Sequence, residues 1–365
     1  MKKPRILFDY QTFTNQEFGG VSKYFYELIN NLIENESVDV NFGFKFHRNH
    51  YLKNIKSDNL SVFLDSLNFK GKVRVLNYIN KVSQKRKFKE GDYDILHPTY
   101  YDNYFIQKNK KPYVITVYDM IHEKFNDFFQ DFKKTIIKKE NAILNASKII
   151  AISNSTKQDI IKHYNISEER IEVIHLATNF MNLCSDETSD HKTPYFLFVG
   201  SRAGYKNFNF MIKSLSKYFE RDYKLYCVGG GGFKNEELIL FQKLNISKNI
   251  HWFSADEKML NSFYRASEAL IYPSLYEGFG LPIIEAFASR CIVISGKGGS
   301  MSEIGGDASI YFNYNDEISL INAVEFVINN KNLKNKIINN GLKQLENFSW
   351  SKTAIKTTNI YKSLL

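Results

Sequence analysis

The stretch YPSLYEGFGLPIIEAFAS (272–289) decides how this chain is read. The apolar run ALIY that leads into it reads as a buried strand. Gly278 and Gly280 then open the backbone into a loop, and Leu281-Pro282 starts a helix, because proline suits a helix's first turn. Two carboxylates punctuate the stretch, Glu277 in the loop and Glu285 on the helix. Glycines without Cβ let backbone amides approach a ligand closely. A loop of Glu277, Gly278, Phe279 and Gly280 therefore suits the hydroxyls of a sugar ring and its phosphate, and Glu285 suits the hydroxyls of a ribose. The plainer alternative makes Glu285 a first-turn partner of the helix dipole and Glu277 a surface acid. Two acids, two glycines and a proline in this order argue against that alternative.

Upstream and downstream, the same alternation repeats. YFLFVGS (195–201), YKLYCVGG (223–230), IHWF (250–253), ALIYPS (269–274) and CIVISG (291–296) read as strands, each followed by a loop and a helix. In the first half, RILFDY (5–10), DILHPTY (94–100), YVITVYD (113–119), KIIAIS (148–153) and IEVIHL (171–176) read the same way, and VSKYFYELINNLI (21–33) has helical spacing. Strand–helix alternation implies parallel sheets covered on both faces. The polar run CSDETSDHKTP (184–194) interrupts the pattern as a linker. The expected architecture is α/β with two Rossmann-like domains facing each other across a cleft. They span 1–183 and 195–347, with a C-terminal helix at about 348–365. Ligands of such sheets bind at the carboxyl ends of the strands.

Two further groups of residues suit a phosphate-bearing ligand. In VGSRAGYKNF (199–208), Arg202 and Lys206 lie four apart on a turn into a helix, where cations oppose the helix dipole. Arginine grips phosphate in a bidentate fork and lysine adds a point charge. Such cations answer the negative charge that grows on a nucleotide diphosphate leaving group. Gly19-Gly20 precedes the helix 21–33, and a helix N-terminus attracts anions, although a tight turn explains the pair equally well. Asp92-Tyr93-Asp94 looks like a metal-binding pair but precedes its strand, at the wrong end for a ligand cleft. It reads as structural, and no metal or other cofactor is expected.

Composition narrows the class. With 365 residues, 43% of them apolar, the chain has material for two cores. It has no apolar run long enough to span a bilayer. MKKPRILFDYQTF lacks the apolar core of a signal peptide. Cys184, Cys227 and Cys291 are too few and too scattered for a disulfide framework, which fits a reducing cytoplasm. The net charge of +10 divides into +7 in residues 1–183 and +3 beyond. Residues 70–89, KGKVRVLNYINKVSQKRKFK, hold eight basic residues and no acid. As a helix this segment gathers Val75, Leu76, Ile79 and Val82 on one side, which suits an anionic membrane surface. It suits an ordinary solvated face as well. Nucleic acid is not an expected partner, because no recognised binding module accompanies the charge.

These pieces together resemble glycosyltransferase family 4, retaining nucleotide-sugar-dependent enzymes of the two-domain GT-B fold. FGGVSKYFYEL (18–28), HPTYYD (97–102), ITVYDMIHE (115–123), ISNSTKQDI (152–160) and GGSMSEIGGDA (298–308) carry the resemblance along with the stretches above. It implies transfer of a hexose from a UDP- or GDP-sugar to a glycan or lipid-linked acceptor in bacterial surface polysaccharide synthesis. The enzyme would work in the cytoplasm or on the inner face of the cell membrane. It further implies that Arg202, Lys206 and Gly20 hold the diphosphate, Glu285 the ribose, and Glu277 with 278–280 the donor sugar. The C-terminal helix would pack back on the N-terminal domain. Many members carry His-Asp where this chain has Tyr118-Asp119, so Tyr118 and Asp119 are candidate catalytic residues without an assigned role, with His122 nearby. The competing readings are a nucleotide-sugar epimerase on the same fold and a catalytically silent sugar- or membrane-binding scaffold. A phosphorylase lacks an identifiable pyridoxal lysine. A dinucleotide-dependent dehydrogenase lacks its Gly-x-Gly-x-x-Gly turn after the first strand.

Overall fold

The computed structural model describes residues 3–55, 60–62, 69–129, 132–183, 193–202 and 204–365. Most of the expected linker, 184–192, and Cys184 lie outside the described residues. The chain divides into two compact units. The first comprises Met1–Lys124, Phe129–Leu176 and Trp350–Leu365, and the second Phe125–Phe128 and Ala177–Ser349. The changeover at 176–177 comes earlier than the sequence reading of 183. The Phe180 ring lies 6.0 Å from that of Tyr264, and Asn261 donates to the Leu183 carbonyl, so residues 177–183 go with the second unit.

The main elements of the first unit begin with β1 (Arg5–Phe8), α1 (Gly20–Glu34), β2 (Asp39–Phe42), α2 (Lys72–Glu90), β3 (Ile95–His97) and β4 (Val114–Val117). They continue with α3 (Phe132–Leu144), β5 (Lys148–Ala151), α4 (Asn154–Tyr164) and β6 (Ile171–Val173). The strands named here form two parallel triplets, β2-β1-β3 and β4-β5-β6, joined by one parallel bridge between Leu96 and Tyr113, and a short parallel pair joins Phe46–His47 to Ser61–Val62. β3 and β4 are buried along their whole length, which is why they read as unbroken apolar runs. β2 is short and partly exposed, and no unbroken apolar run marks it.

The second unit runs β7 (Tyr195–Val199), α5 (Phe208–Ser214), β8 (Lys224–Val228), α6 (Asn235–Lys243), β9 (Ile250–Phe253), α7 (Glu257–Ala266) and β10 (Leu270–Tyr272). After these come α8 (Leu281–Ala288), β11 (Val293–Gly296), β12 (Ser309–Phe312), α9 (Glu317–Asn329) and α10 (Lys334–Leu345). Its single sheet has the order β9-β8-β7-β10-β11-β12, all parallel. Phe196, Phe198, Leu225, Ile271 and Ile294 bury one face of that sheet under Phe208, Met211 and Phe241. The strand order reverses at β7 in this unit and at β1 in the first. A crevice opens at the carboxyl ends of the strands flanking such a reversal.

The last helix, α11 (Trp350–Lys362), belongs to the first unit. It packs along α1, with the Trp350 ring 6.2 Å from Tyr24 and the Thr353 hydroxyl donating to the His175 carbonyl. Its deepest anchor is a buried polar chain. The Tyr361 hydroxyl lies 2.6 Å from His97 Nδ1, and His97 Nε2 lies 3.0 Å from the Thr116 hydroxyl, which in turn meets Tyr24 at 3.2 Å. Burial pushes the His97 imidazole down to about 3. The unfolded chain therefore takes up a proton near pH 6.5 that the folded chain refuses until about pH 3. Stability from this group is complete above pH 6.5 and declines as pH falls through that window, by about 1.4 kcal/mol per pH unit. Thermal unfolding between pH 7 and 5 should show this slope, and His97→Gln should flatten it.

Helix α2 differs from its sequence reading. Its buried stripe is Leu76, Asn80 and Gln84, while Val75, Tyr78 and Val82 are exposed. Asn80 is held inward because it donates to the Phe46 carbonyl at 2.7 Å, and of the four apolar residues expected on one side Leu76 is buried, Ile79 half-buried, and Val75 and Val82 exposed. Asp92 and Asp94 both pair with Arg5 at the start of β1, in keeping with a structural role.

Candidate active site

In the second unit, the reversal point lies between β7 and β10. The loop after β7 carries Arg202 and Lys206, and the loop after β10 carries Glu277. The two loops are tied by the Leu275 amide donating to the Tyr205 carbonyl at 2.8 Å. Across the same gap Lys206 Nζ meets Glu277 Oε1 at 2.6 Å, with side chains only 14% and 9% exposed. Lys206 also lies over the rings of Tyr205 and Tyr272, at 5.2 and 5.7 Å. Burial, and then the neighbouring Glu277, pushes the Tyr272 hydroxyl well above its ordinary value, so it stays a neutral donor.

A third loop shapes Glu277. The Ser300 amide and hydroxyl donate to the Glu277 carbonyl at 3.1 and 3.0 Å, and the same hydroxyl is 2.8 Å from the Phe279 carbonyl. A Cβ on Gly298 would fall 1.8 Å from the Leu275 carbonyl oxygen, so the loops pack backbone to backbone. Gly278, Phe279 and Gly280 are buried, and Gly280 takes a φ of 98° as it enters α8. Glu285 is the fifth residue of that helix, too far along to serve as a first-turn dipole partner. Its carboxylate accepts from the Tyr264 hydroxyl at 3.2 Å.

Arg202 is committed elsewhere. Its Nε donates to Glu237 at 2.7 Å, Nη1 to the Gly229 carbonyl at 3.1 Å, and Nη2 to the Gly231 and Gly232 carbonyls, both at 2.8 Å. The guanidinium also lies 4.9 Å from the Phe233 ring centroid. Three N–H donors thus hold the loop after β8 and a fourth holds Glu237 of α6, so the bidentate grip expected from sequence is not available in this arrangement. Glu237 and the glycine loop are the parts that sequence reading missed. The run of four glycines directly after a strand was the visible signal.

Gly20, Tyr118 and Asp119 belong to the first unit. Gly20 begins α1, is exposed, and would leave a Cβ in open space. Gln16 Oε1 takes the Ser22 amide at 3.1 Å, satisfying one of the helix's leading donors. Tyr118 follows β4 between the rings of Tyr24 and Tyr101, at 5.9 and 6.2 Å. Its hydroxyl is buried without a hydrogen-bond partner, and burial raises it well above its ordinary value. Asp119 accepts from the Ile121 amide at 3.0 Å. Its carbonyl receives the buried Lys139 ammonium at 3.0 Å, which also pairs with Glu123 at 2.9 Å. The ring of His122 lies against Phe129 at 4.3 Å. Burial, then Lys139, pushes this imidazole below its ordinary value. At the reversal point of this unit, Asp9 is fully buried. It accepts from the Thr99 amide and hydroxyl at 2.8 and 2.6 Å, from Gln11 at 2.7 Å and from Tyr104 at 3.2 Å. Burial raises its carboxyl while the Thr99 and Gln11 donors pull it back.

Comparison with known proteins bears directly on this arrangement. Residues 18–179 match the family described as Glycosyltransferase Family 4, and residues 183–344 match Glycosyl transferases group 1. The chain is 25% identical over 74% of its length to an uncharacterized glycosyltransferase of Methanocaldococcus jannaschii, covering 75% of that protein. It is 28% identical over 63% of its length to the O-antigen chain mannosyltransferase RfbU of Salmonella typhimurium, spanning 58% of that relative. The crystal structure of Anabaena HepE in complex with UDP and glucose superposes with a TM-score of 0.75 at 15% identity, over 99% of this chain and 100% of that one. With two parallel α/β units, a polar centre at a strand-order reversal and matches running through both halves, the chain belongs to the group 1, family 4 glycosyltransferases and has the GT-B fold.

Proposed function

We propose that this glycosyltransferase transfers a hexose, with retention of configuration, from a UDP- or GDP-sugar to a glycan or lipid-linked acceptor of a bacterial surface polysaccharide. The observation that carries the reading is the Lys206–Glu277 pair bridging the reversal point of the second unit. A cation and a sugar-binding carboxylate are thereby stored against each other where a ligand of this sheet belongs. When the donor binds, Lys206 exchanges Glu277 for a phosphoryl oxygen and neutralises the charge that grows as the glycosidic bond breaks. Glu277, released, accepts from sugar hydroxyls, and Glu285 accepts from the ribose. Gly20 lends its amide to a phosphate, the neutral Tyr118 hydroxyl donates a hydrogen bond, and Asp119 positions its loop. The acceptor oxygen attacks from the face the diphosphate leaves, and its proton passes to the departing phosphate oxygen. The reading includes no metal, so chelators should leave turnover unchanged.

Thermal unfolding with UDP, GDP, ADP and NAD tests the donor. One nucleoside diphosphate at about 100 times its dissociation constant should add roughly 2.7 kcal/mol, and Lys206→Ala should abolish that gain. Stabilisation by none of the three diphosphates would refute the reading. Glu277→Gln should lower turnover more than nucleotide affinity. The anomeric configuration of the product, read by proton NMR, decides retention.

We further propose that the first unit docks on anionic membrane. No helix among the described residues is long and apolar enough to cross a bilayer. A groove of about 890 Å³ is lined by Lys85, Arg86, Lys89, Lys108 and Lys110 beside Val82. Lys85 pushes the Lys108 ammonium below its ordinary value, the mark of crowded like charges. Vesicles containing phosphatidylglycerol should bind the protein, and high salt should release it. Reversing Lys85, Arg86 and Lys108 to Glu should weaken binding by at least about 100-fold, at about 1 kcal/mol per neutralised charge. Unchanged binding would leave the groove a solvated face.

A further inference from the structure

The loop Gly229-Gly230-Gly231-Gly232 leaves β8 with three consecutive residues at positive φ, 85°, 69° and 75°. Only glycine adopts such a run readily. Gly231 and Gly232 are exposed and a Cβ on either would meet open space, so nothing in the packing around them requires this shape. The shape is nevertheless fixed. A guanidinium with only 4% of its side chain exposed gives three donors to the Gly229, Gly231 and Gly232 carbonyls, and Trp252 Nε1 adds a fourth to Gly229 at 3.0 Å. Gly230 rests against the loop after β7, where a Cβ would meet the Gly200 carbonyl oxygen and Ser201 Cα at 2.9 Å. Desolvating a charge to hold a solvent-facing glycine loop in one conformation is costly unless the loop's shape is used.

The captured carbonyls say what is presented. In a trans peptide the C=O and N–H point to opposite sides. With the carbonyls of Gly229, Gly231 and Gly232 turned to Arg202, the N–H groups of Gly230, Gly232 and Phe233 point away from it. Among the described residues these three N–H groups meet no protein acceptor. Outward amides backed by a guanidinium make an anion-binding concavity. β8 neighbours β7, so the concavity lies at the carboxyl ends of the same strands as Lys206.

We infer that the glycine loop is a phosphate-binding amide cradle, with Arg202 as its positioning residue rather than a direct phosphate ligand. The inference rests on the nucleoside diphosphate donor proposed above. Arg202 then acts through the peptides it orients, and the phosphoryl oxygens accept from the Gly230, Gly232 and Phe233 amides.

The test uses full-length protein labelled with nitrogen-15 in glycine only, the Gly232 signal being assigned by its loss in Gly232→Ala. Inorganic pyrophosphate and the stabilising nucleoside diphosphate should each shift the Gly230 and Gly232 amide resonances, and the matching nucleoside should not. An equal shift with the nucleoside would make the loop a base contact and overturn the inference. Unmoved resonances at saturating pyrophosphate and diphosphate would also overturn it. If no nucleotide stabilises the protein, the donor reading has failed separately, and the pyrophosphate arm still decides the cradle. As a second variant, Gly232→Pro deletes one amide donor and should weaken diphosphate binding about tenfold, whereas Gly232→Ala, which keeps the N–H, should not. Equal affinity in the two variants, both folded by circular dichroism, counts against the cradle.

Discussion

The ion pair between Lys206 and Glu277 sits where the order of strands in the second sheet changes direction, and the loops around it are arranged to hold it there. A parallel sheet covered on both faces has no polar surface of its own except at strand ends. At the reversal point the connections diverge and the strand ends are left open, so polar side chains from β7 and β10 meet without crossing a helix. A largely desolvated lysine needs a counter-charge, and a largely desolvated glutamate needs a donor. Each supplies the other. Ser300 and the tight glycine contacts of 298–299 keep the carboxylate's backbone from drifting.

The two units answer the same topological problem with different chemistry. In the second, charge meets charge: Lys206 with Glu277, Arg202 with Glu237. In the first, the reversal point is closed by the single buried carboxylate of Asp9, solvated by Thr99, Gln11 and Tyr104, and the surroundings are tyrosine-rich. Buried tyrosines stay neutral, so this end can donate hydrogen bonds without imposing a charge on what binds. Tyr118 fits that pattern, with its ring packed on two others and its hydroxyl left over.

The sequence carried the fold well because the central strands are buried on both faces and therefore read as unbroken apolar runs. It lost β2, which is nowhere fully buried, and β12, whose two middle residues are only half buried. The buried face of helix α2 was not legible for a related reason. Hydrophobic spacing locates a buried face only when apolar residues fill it, and here Asn80 and Gln84 fill two of three positions. At the candidate site, Glu277 stood out because glycines, proline and carboxylates share one short stretch, and Lys206 because it follows Arg202 by four residues just after a strand. The commitment of Arg202 was not, since its partners are backbone carbonyls some thirty residues away, and carbonyls have no identity in a sequence.

The polar chain from Tyr361 through His97 to Thr116 and Tyr24 closes the first unit with a helix made only after the whole second unit. On the ribosome, the second unit has all its strands available while the first still lacks the lid over α1 and the partner for a buried imidazole. Domains made first usually fold first. Here the order of completion is inverted, and the first unit lacks the cover over Tyr24 and His97 until α11 emerges.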